Sequence, residues 1–118
     1  MHRIYFTDDA LADVKRLPKN VRNALKAQLT GEFSRDPKRR SLELRDRLAG
    51  FRSLHWRNYR VVFKVLDEER AIVVFAVDDR AARAKQNIYS RLSATAEQGK
   101  LAERLLATLR GFAGKGGR

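Results

Sequence analysis

Residues Phe51–Val77, FRSLHWRNYRVVFKVLDEERAIVVFAV, decide the fold. Three runs, Phe51–Trp56, Tyr59–Leu66 and Ala71–Val77, are rich in β-branched and aromatic residues, the composition of strands. Arg57-Asn58 and the cluster Asp67–Arg70 punctuate them as turns. A two-residue turn at Arg57-Asn58 sets Trp56 opposite Tyr59 and His55 opposite Arg60, and directly opposed residues share a face of the sheet. Leu54, Trp56, Tyr59, Val61, Phe63 and Val65 then form one apolar face. His55, Arg60 and Lys64, with Ser53 among them, fall on the other. The expectation is a sheet packed on one side that shows His and Arg on an open side, where a phosphate-bearing ligand would fit. Ala71–Val77 is apolar on both faces and reads as the central strand.

Upstream, Arg3–Phe6 is a short strand candidate. Thr7 or Asp8 can cap a helix whose first turn carries Asp8 and Asp9, where the helix dipole favours negative charge. Leu11, Val14 and Leu17 recur at helical spacing. Pro18 suits the first turn of a second helix. There Val21, Leu25, Leu29 and Phe33 form a stripe, with Lys19, Arg22, Lys26 and Gln28 opposite. Pro37 ends it. Ser41–Arg47 alternates and reads as a short extended segment. The expected class is α+β: an N-terminal helical hairpin covering the apolar side of a small, twisted, antiparallel-dominated sheet, followed by C-terminal helices. Residues 81–92 are basic and helix-friendly, Ser93–Gly99 reads as a soft break, and Lys100–Phe112 restarts as an amphipathic helix whose leucine stripe is assigned to the core. The tail after Gly114 is flexible by composition.

Charge is the strongest bulk signal. Lys and Arg number 26 against 14 Asp and Glu, a net +12 in 118 residues. Such a chain attracts polyanions by counterion release, whatever their sequence. The absence of cysteine removes disulfides and thiolate chemistry, and two histidines make a His-built metal site improbable. No apolar run approaches the length of a membrane span and no secretory h-region opens the chain, so a cytoplasmic protein with no membrane partner is expected. The acids sit in turns or helix starts, and none is expected within the cationic face, which argues against a carboxylate-pair hydrolase. A nucleophile elbow and a phosphate-binding Gly loop are both missing.

What remains is a cationic site without metal or cofactor. RNA supplies its own nucleophile, the ribose 2′-hydroxyl. A protein need only orient that oxygen, assist its deprotonation, stabilise the phosphorane charge and protonate the leaving 5′-oxygen. Arginine suits the charge because its planar fork engages two phosphate oxygens. His55 can exchange protons near neutral pH.

The string Leu48–Val65, LAGFRSLHWRNYRVVFKV, resembles the RelE/ParE superfamily of bacterial type II toxins. The shared parts are a Leu-x-Gly approach at Leu48 and Gly50, a basic strand over Arg52–Arg57, a Tyr-Arg strand at Tyr59–Phe63, an acidic turn at Asp67–Glu69, the apolar strand, and a basic segment ending in Tyr89. The resemblance covers roughly Arg3 to Leu92, which implies a toxin domain over residues 1–92 and an extension over 93–118. It implies a toxin that cleaves mRNA, with the ribosome among its candidate partners, and so inhibits translation. The catalytic set carried over is His55, Arg60, Arg80, Arg83 and Tyr89. Arg80 and Arg83 compete for one role, because the gap from Arg80 to Tyr89 is longer than the family's usual spacing. Arg52, Arg57, Lys64 and Lys85 are the candidate RNA-contacting cations. The resemblance also implies a cognate antitoxin, which the charge suggests is acidic. The alternatives are a ParE-like toxin that binds DNA gyrase without ribonuclease activity, and an inactive nucleic-acid-binding module.

Overall fold

A computed structural model describes residues 2–39, 41–79, 88–97, 99–100 and 102–107. Strand β1 (Arg3–Phe6) leads to α1 (Asp8–Lys15) and α2 (Lys19–Gln28), then β2 (Ser41–Glu43), β3 (Arg52–Trp56), β4 (Tyr59–Leu66), β5 (Ala71–Asp79) and α3 (Ile88–Glu97). The strands form one five-stranded sheet in the order β1-β5-β4-β3-β2. Among the described residues, β1 and β5 pair in parallel and the other three pairings are antiparallel. The α+β expectation holds, and β5 is internal, with Ala71–Val77 buried throughout.

Thr7 is the cap of α1: its hydroxyl oxygen accepts from the Ala10 amide at 3.2 Å, worth about 1 kcal/mol in comparable helices. Of the first stripe, Val14 and Leu17 pack against the core as expected, but Leu11 does not. Ala10 and Asp13 are buried while Leu11 is 42% exposed. Leu25, Leu29 and Phe33 of the second stripe are buried as read. Their helix is not continuous, however. A π-helical turn occupies Leu29–Phe33, and Gly31 leaves helical geometry at φ −93° and ψ −116°. Glycine tolerates that kink, which swings Phe33 into edge-to-face contact with Phe63, ring centroids 4.9 Å apart.

The hairpin covers Leu54, Val61 and Phe63, as the alternation predicts, and with them Ile72, Val74 and Val77 of β5. The opposite face corrects the reading of an open cationic surface. Phe51, Val62, Val73, Phe75 and Ala76 form a second core, closed by Leu48 and by Leu92 of α3. Phe51 and Phe75 meet edge to face at 5.0 Å. The physical reason lies in β5: a strand apolar on both faces requires cover on both, and Ser53 of β3, opposite Val62, is buried under the same cover. The helix α3 that supplies this cover runs straight through Ser93–Glu97, where the sequence reads as a break. Of the later stripe, Leu105 packs beside the second core and Leu106 is 51% exposed; Leu101, Leu109 and Phe112 lie outside the described residues.

A bulge in β5 sets the end of the sheet. Val62 pairs with Ala76 but Phe63 pairs with Val74, so Phe75 is the extra residue. Both Phe75 and Ala76 then face the second core. The insertion reverses the alternation beyond it: Val77 turns to the hairpin side, and Asp78 comes to the face of its partner Arg60.

Candidate functional site

The β3–β4 turn has the expected register, with Trp56 opposite Tyr59 and His55 opposite Arg60. Arg57 takes a positive φ of 57° at the turn, and its guanidinium carbon lies 4.4 Å from the centre of the Trp56 ring. Trp56 and Tyr59 tilt against each other at 6.0 Å. Trp56 leans on the hairpin-side core, so its face is that of Leu54 and Val61, opposite to His55.

On the second face, at the end of the sheet, one row runs His55, Arg60, Asp78 across three strands. His55 is exposed. Arg60 and Asp78 are ion-paired, Nη2 to Oδ2 at 2.6 Å, with side chains only 15% and 12% exposed. Asp78 therefore lies within the cationic group, contrary to the expectation that no acid does. The bulge at Phe75 puts it there, and no sequence pattern announces a bulge. The row ends where β5 leads into residue 80.

The other predicted cations separate. Arg52 shares the face of Leu54 and Trp56, away from His55 and Arg60. Its Nε donates to the Ser41 hydroxyl at 2.7 Å, and Nη2 donates to the carbonyls of Ser41 at 3.0 Å and Lys38 at 3.3 Å. Arg52 fastens the edge strand β2 and the loop before it. We expect Arg52→Ala to destabilise the domain by about 1–3 kcal/mol, the range for bonds from a charged donor. Chemical denaturation will read that loss, while activity per folded molecule stays at the wild-type level. Lys64 does share the face of Arg60, but four residues along β4 place it roughly 13 Å away. Its ammonium lies 5.3 Å from the Phe51 ring, at the margin of the second core. Arg80, Arg83 and Lys85 lie outside the described residues. Tyr89 is the second residue of α3, and its side chain lies outside them too.

Two residues that the sequence reading passed over are conspicuous here. Asp13, buried on α1, accepts from the Val77 amide at 3.0 Å. It also receives both terminal nitrogens of Arg91, at 3.2 and 2.9 Å. A polar residue inside an apolar helix stripe was the available signal. Among the described residues, no group of three or more His, Cys, Asp or Glu is placed to hold a metal ion, and no helix is long and apolar enough to cross a membrane.

A five-stranded sheet with one parallel edge, covered by a helical hairpin and ending in the row His55–Arg60–Asp78, is a fold shared with small type II toxins. The family model described as the ParE toxin of the type II toxin-antitoxin system parDE matches residues 4–84. The chain belongs to the RelE/ParE superfamily of type II toxins. Toxin RelG of Mycobacterium tuberculosis is 34% identical over 80 residues, 68% of this chain and 92% of that toxin. The toxin-antitoxin complex RelBE2 of M. tuberculosis contains a chain 33% identical at a TM-score of 0.64, covering 67% of this chain and 98% of its own. Isolated E. coli RelE superposes at a TM-score of 0.58 with 26% identity, covering 78% and 95%.

Proposed function

We propose that this toxin is a metal-independent endoribonuclease that cleaves mRNA, at the ribosome, and so inhibits translation. The observation that carries the reading is the row His55–Arg60–Asp78. An exposed imidazole neighbours a guanidinium held in place by a carboxylate, at the edge of a strongly basic domain. The likeness to Toxin RelG and to E. coli RelE supports it.

In this mechanism the 2′-hydroxyl attacks the adjacent phosphorus, and the bond to the 5′-oxygen breaks as that oxygen takes a proton from the Tyr89 hydroxyl, a role Tyr89 holds by resemblance. The new bond closes a 2′,3′-cyclic phosphate, and the departing strand carries a 5′-hydroxyl. His55 takes the 2′-hydroxyl proton. Arg60 faces the phosphorane oxygens, its rotamer fixed by Asp78, so little reorganisation accompanies the developing charge. Tyr89 and one of Arg80 and Arg83 complete the set by resemblance. His55→Ala is expected to slow cleavage less than loss of Arg60, because His55 is exposed and solvent at its position can accept the proton in its place. The pH–rate profile should lose the limb that His55 contributes; an unaltered profile would remove His55 as the base.

The second reading, gyrase binding without RNA cleavage, is favoured by two observations. The matched family model is that of the ParE toxin, and Arg60 is already engaged by Asp78. Adding the purified toxin to a translation extract and to a gyrase supercoiling reaction separates the two. The ribonuclease reading predicts cut mRNA with cyclic-phosphate ends and unimpaired supercoiling. Intact mRNA with inhibited supercoiling would replace it with the second.

We further propose residues 1–92 as the toxin unit, 93–118 as an extension, and the cytoplasm as its site of action. The partner is a cognate antitoxin with an acidic segment that folds on binding. RelBE2 of M. tuberculosis and RelBE of E. coli are toxin-antitoxin complexes, which supports such a partner here. Charge steering makes association faster at low salt, with screening over about 8–10 Å.

A further inference from the structure

Neighbours along a strand point to opposite faces of the sheet, so a regular chain would carry Arg57 away from Trp56. At the β3–β4 turn it does not. Arg57 takes φ 57°, and with the backbone left-handed there its side chain folds back, the guanidinium carbon 4.4 Å from the centre of the Trp56 ring. Of the two turn residues, Arg57 alone has a positive φ. Glycine is the ordinary occupant of such a first turn position. The chain instead holds a long cationic side chain in a backbone conformation that disfavours it, the kind of local strain that clusters at ligand sites.

The layer beneath the guanidinium is firm. Trp56 packs on the hairpin-side core, as Val14 and Leu17 do, and tilts by 31° against Tyr59 with ring centroids 6.0 Å apart. Arg57 itself is exposed, while Trp56 and Tyr59 are half-buried. The β3–β4 ladder ends at the pair Trp56–Tyr59, so Arg57 and Asn58 project past it. The next pair inward, His55 and Arg60, belongs to the row proposed for catalysis. About 3.8 Å separates the Cα of each from that of its aromatic neighbour. The aromatic row continues to Asp79, which opposes Tyr59. Directly opposed residues share a face, so the Asp79 carboxylate disfavours a second phosphate beside the rings. A flat, uncharged group suits this side of the turn.

We propose that Arg57, backed by Trp56, is a stacking platform for one base of single-stranded RNA, the base of the nucleotide next to the phosphate at His55 and Arg60. This deepens the ribonuclease reading and rests on it for the place of the phosphate. A guanidinium offers a base a stacking plane as well as a charge. Stacking tolerates any sequence, because every base has a π-face. The ring beneath Arg57 holds the guanidinium in place before the base arrives, so less side-chain freedom is lost on binding. The RNA strand bends over the end of the sheet, its phosphate on the row and its next base over the turn. The net charge of +12 draws any polyanion to the domain; the platform adds a contact that only a base can make.

Trp56 is the only tryptophan of the chain, so the fluorescence of the full-length protein reports on this one place. The probe is a short, end-labelled, single-stranded RNA with 2′-O-methyl groups throughout, which lacks the nucleophile and cannot be cleaved. Inorganic polyphosphate is the comparison, offering charge without bases. Binding is read at low salt from the anisotropy of the label, and contact from the Trp56 emission. The RNA should change that emission saturably, in step with the anisotropy. Polyphosphate alone should leave the emission unchanged, and as a competitor it should displace the RNA and reverse the change. Arg57→Lys keeps the charge but not the plane. It should weaken RNA binding about fivefold or more and leave the competing concentration of polyphosphate as it was. RNA that does not bind, RNA that binds with the Trp56 emission unchanged, or wild-type RNA affinity in Arg57→Lys would overturn the platform. Cleavage of mRNA in a translation extract is followed alongside. Base stacking on a chain that never cuts mRNA would keep the platform and sink the ribonuclease reading; cleavage with none of the stacking effects would do the reverse.

Discussion

Arg60→Ala is expected to lower RNA cleavage at least tenfold in a domain that still folds. Removing one pre-oriented donor from a site of developing charge costs about 2.7–4 kcal/mol in comparable enzymes, roughly 100- to 1,000-fold in rate. The single substitution has a second effect. Asp78 is 12% exposed and loses the guanidinium 2.6 Å away, and stripping a buried carboxylate of its partner destabilises by up to about 3–5 kcal/mol. A drop in activity alone would therefore mix chemistry with folding. The double variant Arg60→Ala/Asp78→Asn separates them, because the stranded charge is gone. We expect it to recover much of the lost stability, read by thermal unfolding, and none of the lost cleavage. Recovery of both would reduce Arg60 to a structural ion pair.

Phe75→Ala should destabilise the domain by about 3–5 kcal/mol, the range for truncating a buried aromatic. That is a large part of the 5–15 kcal/mol typical of a whole domain. Phe75 is 2% exposed and packs edge to face on Phe51, both on the face that the charges of β3 and β4 suggest is open. The measurement is a denaturant midpoint for wild type and variant at constant slope. A loss under about 0.5 kcal/mol, as for an ordinary surface site, would mean that this face is not a core and that α3 does not cover it.

The β3–β4–β5 meander, its two-residue turn and the helical hairpin were legible in the sequence, because each rests on local periodicity; the places of β1 and β2 in the sheet, which make β4 and not β5 the central strand, were not. The alternation over Tyr59–Leu66 assigns faces, and the i+4 stripe from Leu25 to Phe33 assigns a helix side. The row His55–Arg60 was legible for the same reason, as a consequence of register across a short turn. What escaped depends on relations between distant segments. Whether the second face is open is decided by Phe51, Leu48 and Leu92, which fold back from outside β3–β5. The position of Asp78 depends on one extra residue at Phe75, and a strand of uniformly apolar residues gives no phase from which an insertion can be noticed. Asp13 had no role in the reading of the sequence, yet it accepts from the Val77 amide at a strand edge and from an arginine 78 residues away. Arg52 shows the opposite error. Its residue type fitted the family's basic strand, but period-two alternation sets it one residue out of phase with Ser53 and His55, on the hairpin side of the sheet.

The proposed activity, mRNA cleavage at the terminal row of the sheet, leaves a direct trace in cells. Its most direct measurement is a map of RNA 5′ ends in cells after induction of the wild-type chain, beside cells expressing Arg60→Ala/Asp78→Asn at matched level. Cleavage at this row should give new 5′-hydroxyl ends inside coding sequences, phased to the reading frame, within the time that growth stops, and none with the double variant. Growth arrest with no new ends, accompanied by altered DNA supercoiling, would contradict it.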